Sequence, residues 1–470
     1  MAGKRVVGDD DLPHRLGVWL STPGVAPDLT APVTVTGMDR LSGGASRQSW
    51  AVDITTADGP RRIVVQRKRP GGLGASMGLE ANLVRLARHA GVPVATVLAD
   101  TDDPSHIGGG AMVVDHVAGE SVASRLLRQP EFADARTVLP AQAAAALAAI
   151  GRMEAVADDG LRLDDQLELI TALHRGLDRP QPVFELALRW LAAHRPDPPP
   201  TPRVVHGDYR LGNFMVDATG LVAVLDWELA HLGDPAEDLA WACVKAWRFG
   251  GDGVALGLAD INAWVDAYCE AGGIRPDDHR LRWWLVYGTL RWGVICELQA
   301  AAHLTGMVDS VELAVLGRRV AETEHDLLGL LGLLGEPGDE DDAVAGPGLD
   351  QAPHDAPDTD ALLAVVERFL STTVTGATGG QVRFHARVAA NAVAMVRRQV
   401  ADGGRAARAH RRRLESLGVT DDAELARRIA DGGFDDQMAE VGVVLVAAVA
   451  DKLAVSAPDY THGAPADPWA

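Results

Sequence analysis

The sequence predicts an α+β protein in which a β-rich N-terminal lobe precedes a helical lobe, followed by a separate all-α C-terminal domain. Short β-branched runs bounded by turn residues fill residues 28–119, which is the pattern of strands. Apolar residues at helical spacing dominate residues 120–335 and return over residues 361–460. A chain of 470 residues is long enough for two or three domains of ordinary size.

The β-rich lobe begins after an N-terminal extension formed by residues 1–27. We expect its strands at Pro32–Thr36, Trp50–Thr55, Arg62–Gln66 and Ala111–Val117. A helix is predicted over Leu79–His89, because Gly91 and Pro93 follow it and residues of these types end helices.

Residues 336–360 are the clearest boundary along the chain. This segment contains nine acidic residues, no lysine or arginine, and four prolines. It cannot bury much apolar surface and its charges repel one another, so we expect an extended, solvated linker. The C-terminal domain then occupies residues 361–460, and residues 461–470 form a tail.

The charge and the cysteines exclude several classes of protein. With 44 Lys and Arg against 65 Asp and Glu, the net charge is −21, which is unsuited to binding a nucleic-acid backbone. The three cysteines lie too far apart for a zinc motif and indicate a reducing compartment. No apolar signal segment opens the chain, and the longest apolar run, Val441–Ala450, is about half the length that spans a membrane. We therefore expect a cytoplasmic protein with neither nucleic-acid nor membrane partners.

The strongest chemical signal is a set of polar residues at fixed spacing around a predicted β-hairpin. Asp208 follows His206-Gly207, Asn213 comes five residues later, and Asp226 ends the second strand of a hairpin predicted at Asn213–Val216 and Leu221–Leu225. Phosphoryl transfer from ATP to a hydroxyl needs one carboxylate that accepts the hydroxyl proton and two oxygen ligands for Mg²⁺. Arg210 can add a cation beside the transferring phosphate. A Walker A loop is excluded, because none of the four lysines lies in a Gly-Lys-Ser/Thr context.

This region resembles the aminoglycoside phosphotransferase-like small-molecule kinases, and most closely the branch related to kinase domains attached to acyl-CoA dehydrogenases. The matching segments are His206–Asn213, Leu225–Pro235 and Asp238–Trp241, and the resemblance extends over residues 28–332. It implies a bilobal protein-kinase-like fold that binds ATP between a β-rich and a helical lobe. It also implies that Asp208 is the catalytic base, that Asn213 and Asp226 are magnesium ligands, and that His206 braces the loop.

Other residues of an ATP site are expected from the same resemblance. The small residues Ser42, Gly43, Gly44, Ala45 and Ser46 suit a phosphate-covering loop between two strands. Glu80 opens the Leu79–His89 helix, where the kinase fold has the acid that pairs with a strand cation. Asp115 and Val117 match the hinge whose backbone pairs with adenine.

The sequence departs from the family pattern at the strand cation. Gln66 occupies the expected position, and Arg67 and Lys68 follow it. Gln66 and Lys68 share one face of the strand, and Arg67 takes the other. A one-residue shift could bring Arg67 to the phosphates, Lys68 could reach back, or the pair could be missing; we favour Arg67.

One motif of a different class is set aside. Gly74-Ala75-Ser76-Met77-Gly78 satisfies the Gly-x-Ser-x-Gly pattern of serine hydrolases. That motif requires a strand that runs directly into the serine, whereas here Pro70-Gly71-Gly72 intervenes.

The C-terminal domain carries a basic stripe along Arg383–Arg413, beside a predicted helix over Gln381–Asp402. A solvated helix face explains such a stripe in the simplest way. The alternatives are docking of the acidic 336–360 linker and binding of an anionic ligand such as a CoA-type phosphate.

Taken together, the sequence predicts an ATP- and Mg²⁺-dependent kinase that phosphorylates a hydroxyl of a small-molecule acceptor. A hydroxyacyl-CoA is the acceptor toward which the branch resemblance and the tryptophan-rich helical lobe point. An aminoglycoside or amino-alcohol kinase remains the alternative within enzymes, because an acidic surface attracts polycations. A catalytically impaired kinase fold that serves as a binding or regulatory module is the alternative from another class, and the departure at Gln66 favours it.

Overall fold

The structure, a computed structural model, describes residues 11–41, 47–68, 75–154, 160–177, 179–335, 359–462 and 464–469. The chain divides into two compact units. The first comprises Met1–Asp164 and Pro198–Leu281, and the second comprises Asp165–Asp197 and Arg282–Ala470. The domain boundaries that we expect from the sequence stay predictions.

Strands and helices alternate in the first half of the chain, and helices fill the second half. The strands are β1 (Thr34–Arg40), β2 (Arg47–Thr56), β3 (Gly59–Lys68), β4 (Val97–Thr101), β5 (Ala111–Asp115), β6 (Arg203–Val205), β7 (Phe214–Asp217), β8 (Gly220–Val224) and β9 (His231–Gly233). The helices are α1 (Leu12–Leu20), α2 (Met77–His89), α3 (Pro104–Ile107), α4 (Ala123–Arg128), α5 (Ala133–Ile150), α6 (Gln166–Arg175), α7 (Pro182–Ala193), α8 (Ala236–Trp241), α9 (Ile261–Glu270), α10 (Asp278–Leu304), α11 (Val311–Leu316), α12 (Val320–Leu330), α13 (Thr359–Arg368), α14 (Thr375–Ala377), α15 (Gly380–Asp402), α16 (Arg405–Ser416), α17 (Asp422–Ala430) and α18 (Met438–Ser456).

Five antiparallel strands form the N-terminal sheet, in the order β1-β2-β3-β5-β4. The α+β fold class, an antiparallel sheet followed by helices with a helical C-terminal region, is confirmed. The hydrophobic core beneath the sheet includes Leu16 and Trp19 of α1, which pack with Trp50, Ile54 and Val65 of the strands. Residues 1–27, which we expected to be an N-terminal extension, thus include α1, and α1 is part of this core.

Alternation along the β2–β3 hairpin decides which polar side chains face the same way. Arg47 pairs with Lys68, and Ser49 pairs with Gln66, so these four residues share one face. Gln48, Trp50 and Arg67 project from the opposite face.

The predicted hairpin of the helical segment is confirmed as β7 and β8, which pair antiparallel from Phe214 to Val224. Ahead of it, β6 pairs with β9. The segment between β6 and β7 contains the polar motif, and its ends are fixed by these two small sheets.

The second unit is helical and contains α6, α7, α11–α18 and most of α10. α15 confirms the helix predicted over Gln381–Asp402 and begins one residue earlier. Within this unit α17 packs against α7, and α18 packs against α12. Among the described residues, none of the helices combines the length and the apolar character that a membrane crossing requires.

Candidate active site

The polar motif lies on a loop whose backbone only glycine permits at one position. Gly207 has φ +80°, and a Cβ there would lie 2.4 Å from the carbonyl oxygen of Leu229. Asp238, on α8, accepts the backbone N–H groups of His206 at 2.6 Å and Gly207 at 2.9 Å. The loop is thus anchored before it reaches Asp208.

His206 braces this loop from within the core. Its Nδ1 accepts the backbone N–H of Asp208 at 3.2 Å, so Nε2 carries the proton and donates to the carbonyl of Leu225 at 2.9 Å. Burial lowers the pKa of His206 to about 4, although the charge of Asp208 opposes the shift. A histidine that stays neutral and uses both ring nitrogens in hydrogen bonds is a structural residue.

Three donors orient the carboxylate of Asp208. Its Oδ1 accepts Arg210 Nε at 2.9 Å and Trp241 Nε1 at 2.8 Å, and its Oδ2 accepts Asn213 Nδ2 at 2.6 Å. The spacing of Asp208 and Asn213 in the sequence therefore becomes a direct contact. Because the Asn213 nitrogen faces Asp208, its amide oxygen is the atom left to act as a ligand.

Asp226 follows β8 with an unusual backbone. Its φ of +67° lies in the left-handed region, which costs a residue with a Cβ of the order of 1–3 kcal/mol and is typical of functional sites. Leu225, the preceding residue, donates its N–H to the carbonyl of Asn213 at 2.8 Å, which ties the two predicted magnesium ligands together. Burial raises the pKa of Asp226 to about 6, while Arg47 opposes the shift.

Arg47 joins three carboxylates from two parts of the first unit, α2 and the segment that follows β8. Its guanidinium donates to Glu80 Oε1 at 2.6 Å, Asp226 Oδ1 at 2.8 Å and Glu228 Oε2 at 2.9 Å. The side chains of Arg47 and Glu80 are only 8% and 3% exposed, so the pair is shielded from solvent. Burial disfavours the charge on Arg47, but the three carboxylates outweigh burial and raise its pKa.

The one-residue shift that would bring Arg67 to the phosphates is absent from the β2–β3 hairpin. Arg67 donates to Gln48 Oε1 at 2.7 Å and to the carbonyl of Ile107 at 3.0 Å, and its guanidinium stacks on the ring of Trp50 at 4.9 Å. The reason is strand alternation: β2 and β3 pair without a register shift, so Arg67 stays on the face opposite Gln66. Lys68 donates to the carbonyl of Ala75 at 3.0 Å.

The other predicted nucleotide-binding residues have separate outcomes. Ser42, Gly43, Gly44, Ala45 and Ser46 lie outside the described residues. Asp115 ends β5 and accepts two hydrogen bonds from Arg61, and Val117 lies in the irregular segment that follows. Their hinge role stays a prediction.

Ser76, the central residue of the hydrolase-like motif, has a structural role. Its side chain caps α2 by accepting the N–H of Leu79 at 3.1 Å. This contact accounts for a serine just before a helix without any nucleophilic function.

An aromatic wall adjoins Asp208. Trp241, which donates to Asp208, has its ring centroid 5.2 Å from that of Trp247, and the ring of Phe249 lies 6.3 Å beyond Trp247. Arg210 stacks on Trp247 at 4.5 Å, so the cation beside Asp208 is itself held by the wall.

Sequence reasoning missed four residues of this site, namely Arg47, Glu228, Asp238 and Trp241. Arg47 directly follows the small-residue loop, and Glu228 lies two residues after Asp226. Asp238 and Trp241 belong to a segment that matches the family, but spacing alone gives them no role. Only the contacts with Asp208, His206 and Glu80 reveal what these side chains do.

The donor set fits a magnesium ion with few protein ligands. Among the described residues, no group of three or more His, Cys, Asp and Glu is arranged to hold a metal ion. Asn213 and Asp226 supply an amide oxygen and a carboxylate, and Mg²⁺ commonly takes its remaining ligands from water and phosphates. Around them, Glu80, Asp208, Asp226 and Glu228 face the cations Arg47 and Arg210, which leaves an excess of negative charge.

Models of two protein families match parts of this chain. The model of the phosphotransferase enzyme family (APH) matches residues 38–284, and that of a domain of unknown function (DUF6285) matches residues 376–460. A structure from Ralstonia eutropha, described as a candidate aminoglycoside phosphotransferase, superposes with a TM-score of 0.52 at 23% identity. That match covers 66% of this chain and 95% of the other, and at this identity it shows the fold alone.

Two curated relatives are acyl-CoA dehydrogenase family members from Mus musculus. Family member 10 is 27% identical over 281 residues, covering 55% of this chain and 26% of the relative. Family member 11 is 25% identical over 280 residues, covering 54% of this chain and 34% of the relative. The matched region thus spans only about a quarter to a third of the length of these relatives.

Proposed function

Because the chain belongs to the phosphotransferase enzyme family, we propose that it is a small-molecule phosphotransferase and, more specifically, an ATP- and Mg²⁺-dependent kinase. The acceptor is a hydroxyl group of a small molecule. The observation that carries the proposal is the Asp208 carboxylate, which Asn213, Arg210 and Trp241 orient together. A carboxylate held in one direction is what positions a hydroxyl for phosphoryl transfer.

Asp208 acts as the catalytic base. Its Oδ1 already accepts two hydrogen bonds, whereas Oδ2 accepts one from Asn213 and retains a lone pair. Oδ2 therefore takes the hydrogen bond of the acceptor hydroxyl and receives its proton as the bond between that oxygen and the γ-phosphorus forms. The bond from the γ-phosphorus to the β,γ-bridging oxygen breaks at the same time, and ADP leaves. Arg210 offers positive charge next to the reacting phosphate while its Nε remains on Asp208.

Asn213 and Asp226 would hold magnesium through the amide oxygen and the carboxylate. When bound, Mg·ATP supplies the phosphoryl group and the metal neutralises phosphate charge. The excess of carboxylates over arginines in this site supports a requirement for a divalent cation.

We infer that the acceptor is a hydroxyacyl-CoA. The names of the matched relatives, acyl-CoA dehydrogenase family members, refer to acyl thioesters. An acceptor of the same chemical class is therefore supported. In the aromatic wall beside Asp208, Trp241 and Trp247 are buried, and Phe249 at its end is half-buried. Phe249 thus presents an apolar edge that suits an acyl chain better than a polycationic sugar.

Release of ADP from ATP and Mg²⁺ tests the proposal directly. The acceptor panel comprises a short and a long hydroxyacyl-CoA, kanamycin, choline and ethanolamine. We expect turnover with hydroxyacyl-CoA and little with kanamycin. Kanamycin turnover without hydroxyacyl-CoA turnover would assign the aminoglycoside alternative, and turnover of choline or ethanolamine alone would assign the amino-alcohol alternative. Nucleotide binding with no ADP release on any acceptor would assign the impaired-kinase alternative.

The role of the basic stripe is tested with the same assay. Arg411 and Arg412 are exposed on α16, and if they attract an anionic acceptor, the Arg411→Gln/Arg412→Gln variant should raise the KM for hydroxyacyl-CoA at low salt. Added salt should abolish the difference, since exposed charges are screened within about 8 Å at physiological ionic strength. An identical salt profile for both proteins would identify the stripe as a solvated face.

A further inference from the structure

The strand position at which kinase-like folds carry a phosphate-binding cation is neutral in this chain. Gln66 occupies it, and the two basic residues that follow have other contacts: Arg67 with Gln48 and Trp50, and Lys68 with the carbonyl of Ala75. Yet Glu80, the acid of the expected pair, lies buried at the start of α2 with a cation beside it. The cation is Arg47, from the neighbouring strand.

The β2–β3 register explains how Arg47 reaches the same place. Arg47 lies opposite Lys68, two residues from the Ser49–Gln66 pair, and all of these side chains share one face. Arg47 NH1 lies 3.5 Å from Gln66 Oε1 and 2.6 Å from Glu80 Oε1. The long arginine side chain therefore reaches from β2 to Glu80, the carboxylate that a lysine at position 66 of β3 would contact in the family pattern.

The chemistry of Arg47 suits phosphate binding. A guanidinium presents its N–H donors as a planar fork that matches paired oxygen atoms, including those of phosphates. NH1 holds Glu80, while NH2 contacts both Asp226 and Glu228. Asp226 is a proposed magnesium ligand. If its carboxylate binds the metal, the NH2 group of Arg47 loses one of its acceptors and can donate to phosphate oxygens.

We propose that Arg47 is the cation that binds the nucleotide phosphates, with Glu80 as its anchor, in place of a lysine at Gln66. This inference rests on the proposed kinase function. It also removes the departure at Gln66 as an argument for an impaired kinase, because the positive charge has moved to β2 and has not been lost.

The test separates phosphate recognition from folding by using a ligand without phosphates. Calorimetric titration gives Kd for the non-hydrolysable analogue AMP-PNP and for adenosine, in wild type and in the Arg47→Gln variant, without acceptor. The Kd for adenosine divided by the Kd for AMP-PNP measures the contribution of the phosphates. We expect Arg47→Gln to reduce this ratio roughly 10- to 100-fold, which is the loss of a charge-assisted hydrogen bond. Adenosine affinity should stay unchanged.

An exchange variant provides the rescue. Arg47→Gln/Gln66→Lys returns one positive charge to the same face from β3, and it should recover most of the phosphate contribution. Arg67→Gln is the matched control, since it removes a buried arginine from the opposite face of the hairpin and should leave the ratio unchanged. Arg47→Gln/Glu80→Gln avoids an unpaired buried carboxylate and gives the same expected loss if the single variant does not fold.

The outcomes distinguish this inference from the function beneath it. Equal ratios in wild type, Arg47→Gln and Arg47→Gln/Glu80→Gln would overturn the role of Arg47 while leaving the kinase in place. Parallel loss of adenosine and AMP-PNP affinity would make Arg47 a structural residue and would also overturn it. A wild-type protein that binds neither AMP-PNP nor ADP would overturn the proposed function itself.

Discussion

At the residue scale, the decisive side chain is Asp208, because its three hydrogen-bond donors come from two separate elements. Arg210 and Asn213 lie on its own loop, whereas Trp241 lies at the end of α8. A carboxylate held in this way keeps one orientation, which suits it to a specific role in the reaction. Its substitution should therefore affect chemistry more than binding.

Asp208→Asn keeps the size of the side chain but removes its ability to accept a proton. We expect kcat to fall by about 10²-fold or more, with Kd for AMP-PNP within about twofold of wild type. Steady-state ADP release and calorimetry measure the two quantities. Asp217→Asn, a half-buried carboxylate in the β7–β8 hairpin, is the control. Near-native turnover in Asp208→Asn would remove Asp208 from the role of base.

His206 predicts a pH dependence of stability. Its pKa in the folded state is about 4, below the usual value near 6.5, so the unfolded chain binds a proton that the folded protein does not. Stability from neutral His206 is complete above pH 6.5 and is lost as the pH falls toward 4, by about 3 kcal/mol in total.

The comparison of wild type with His206→Gln isolates this contribution, since glutamine does not titrate. Urea unfolding between pH 7 and pH 4.5 should show that wild type loses more free energy of unfolding than the variant does. The variant will be less stable at pH 7, so only the difference in slope is diagnostic. Parallel pH profiles would mean that His206 is accessible to protons in the folded state.

At the element scale, the loop between β6 and β7 depends on one glycine. Gly207→Ala introduces both a left-handed backbone with a Cβ and a clash with the carbonyl of Leu229. Gly24 has almost the same φ, +83°, and no atom lies within 4 Å of the place that a Cβ would take there, so it controls for the backbone alone. We expect Gly24→Ala to cost about 1 kcal/mol of unfolding free energy and Gly207→Ala clearly more, as measured by urea denaturation. Equal costs would show that the loop can move away from Leu229.

Some helices and strands could be predicted from the sequence, and others could not. The β7–β8 hairpin, α2 and α15 were predictable because periodicity and end signals agree locally. β4 was not, since its sequence Val-Leu-Ala-Asp-Thr includes alanine and aspartate, which are depleted in strands. α1 was not expected to join the core, because its role depends on strands that lie far along the chain.

At the scale of the whole molecule, the C-terminal helices are part of the second compact unit and complete it. α17 packs on α7, and α18 packs on α12, where Lys452 donates to both oxygens of the fully buried Glu324 at 2.8 Å. The arginines of the basic stripe also serve within this unit: Arg397 contacts Asp360 and Glu367, and Arg413 contacts Asp451. Asp360, the last residue of the expected acidic linker, thus lies against the stripe from within α13.

Truncation after Gly335 should consequently destabilise the protein. Removal of α18 leaves Glu324 buried without its cation and exposes the apolar faces of α7 and α12. We expect earlier thermal unfolding and rapid proteolysis within residues 165–197 and 282–335. Limited proteolysis with mass spectrometry locates the cleavage sites. A truncated protein with an unchanged Tm would make residues 359–462 an independent domain.

The sequence by itself determined the family of this protein, because the residues of its motif lie at close spacing along one segment. His206, Asp208, Asn213 and Asp226 lie within 21 residues, and their motif identified the phosphotransferase family that the comparison over residues 38–284 confirms. Only the tertiary structure decided which basic side chain pairs with Glu80. Arg47 lies 33 residues from Glu80 and 179 from Asp226, and nothing local distinguishes it from Arg67 or Lys68. Strand register alone determines which arginine reaches the buried carboxylate of Glu80, since each step along a strand reverses the face of the side chain.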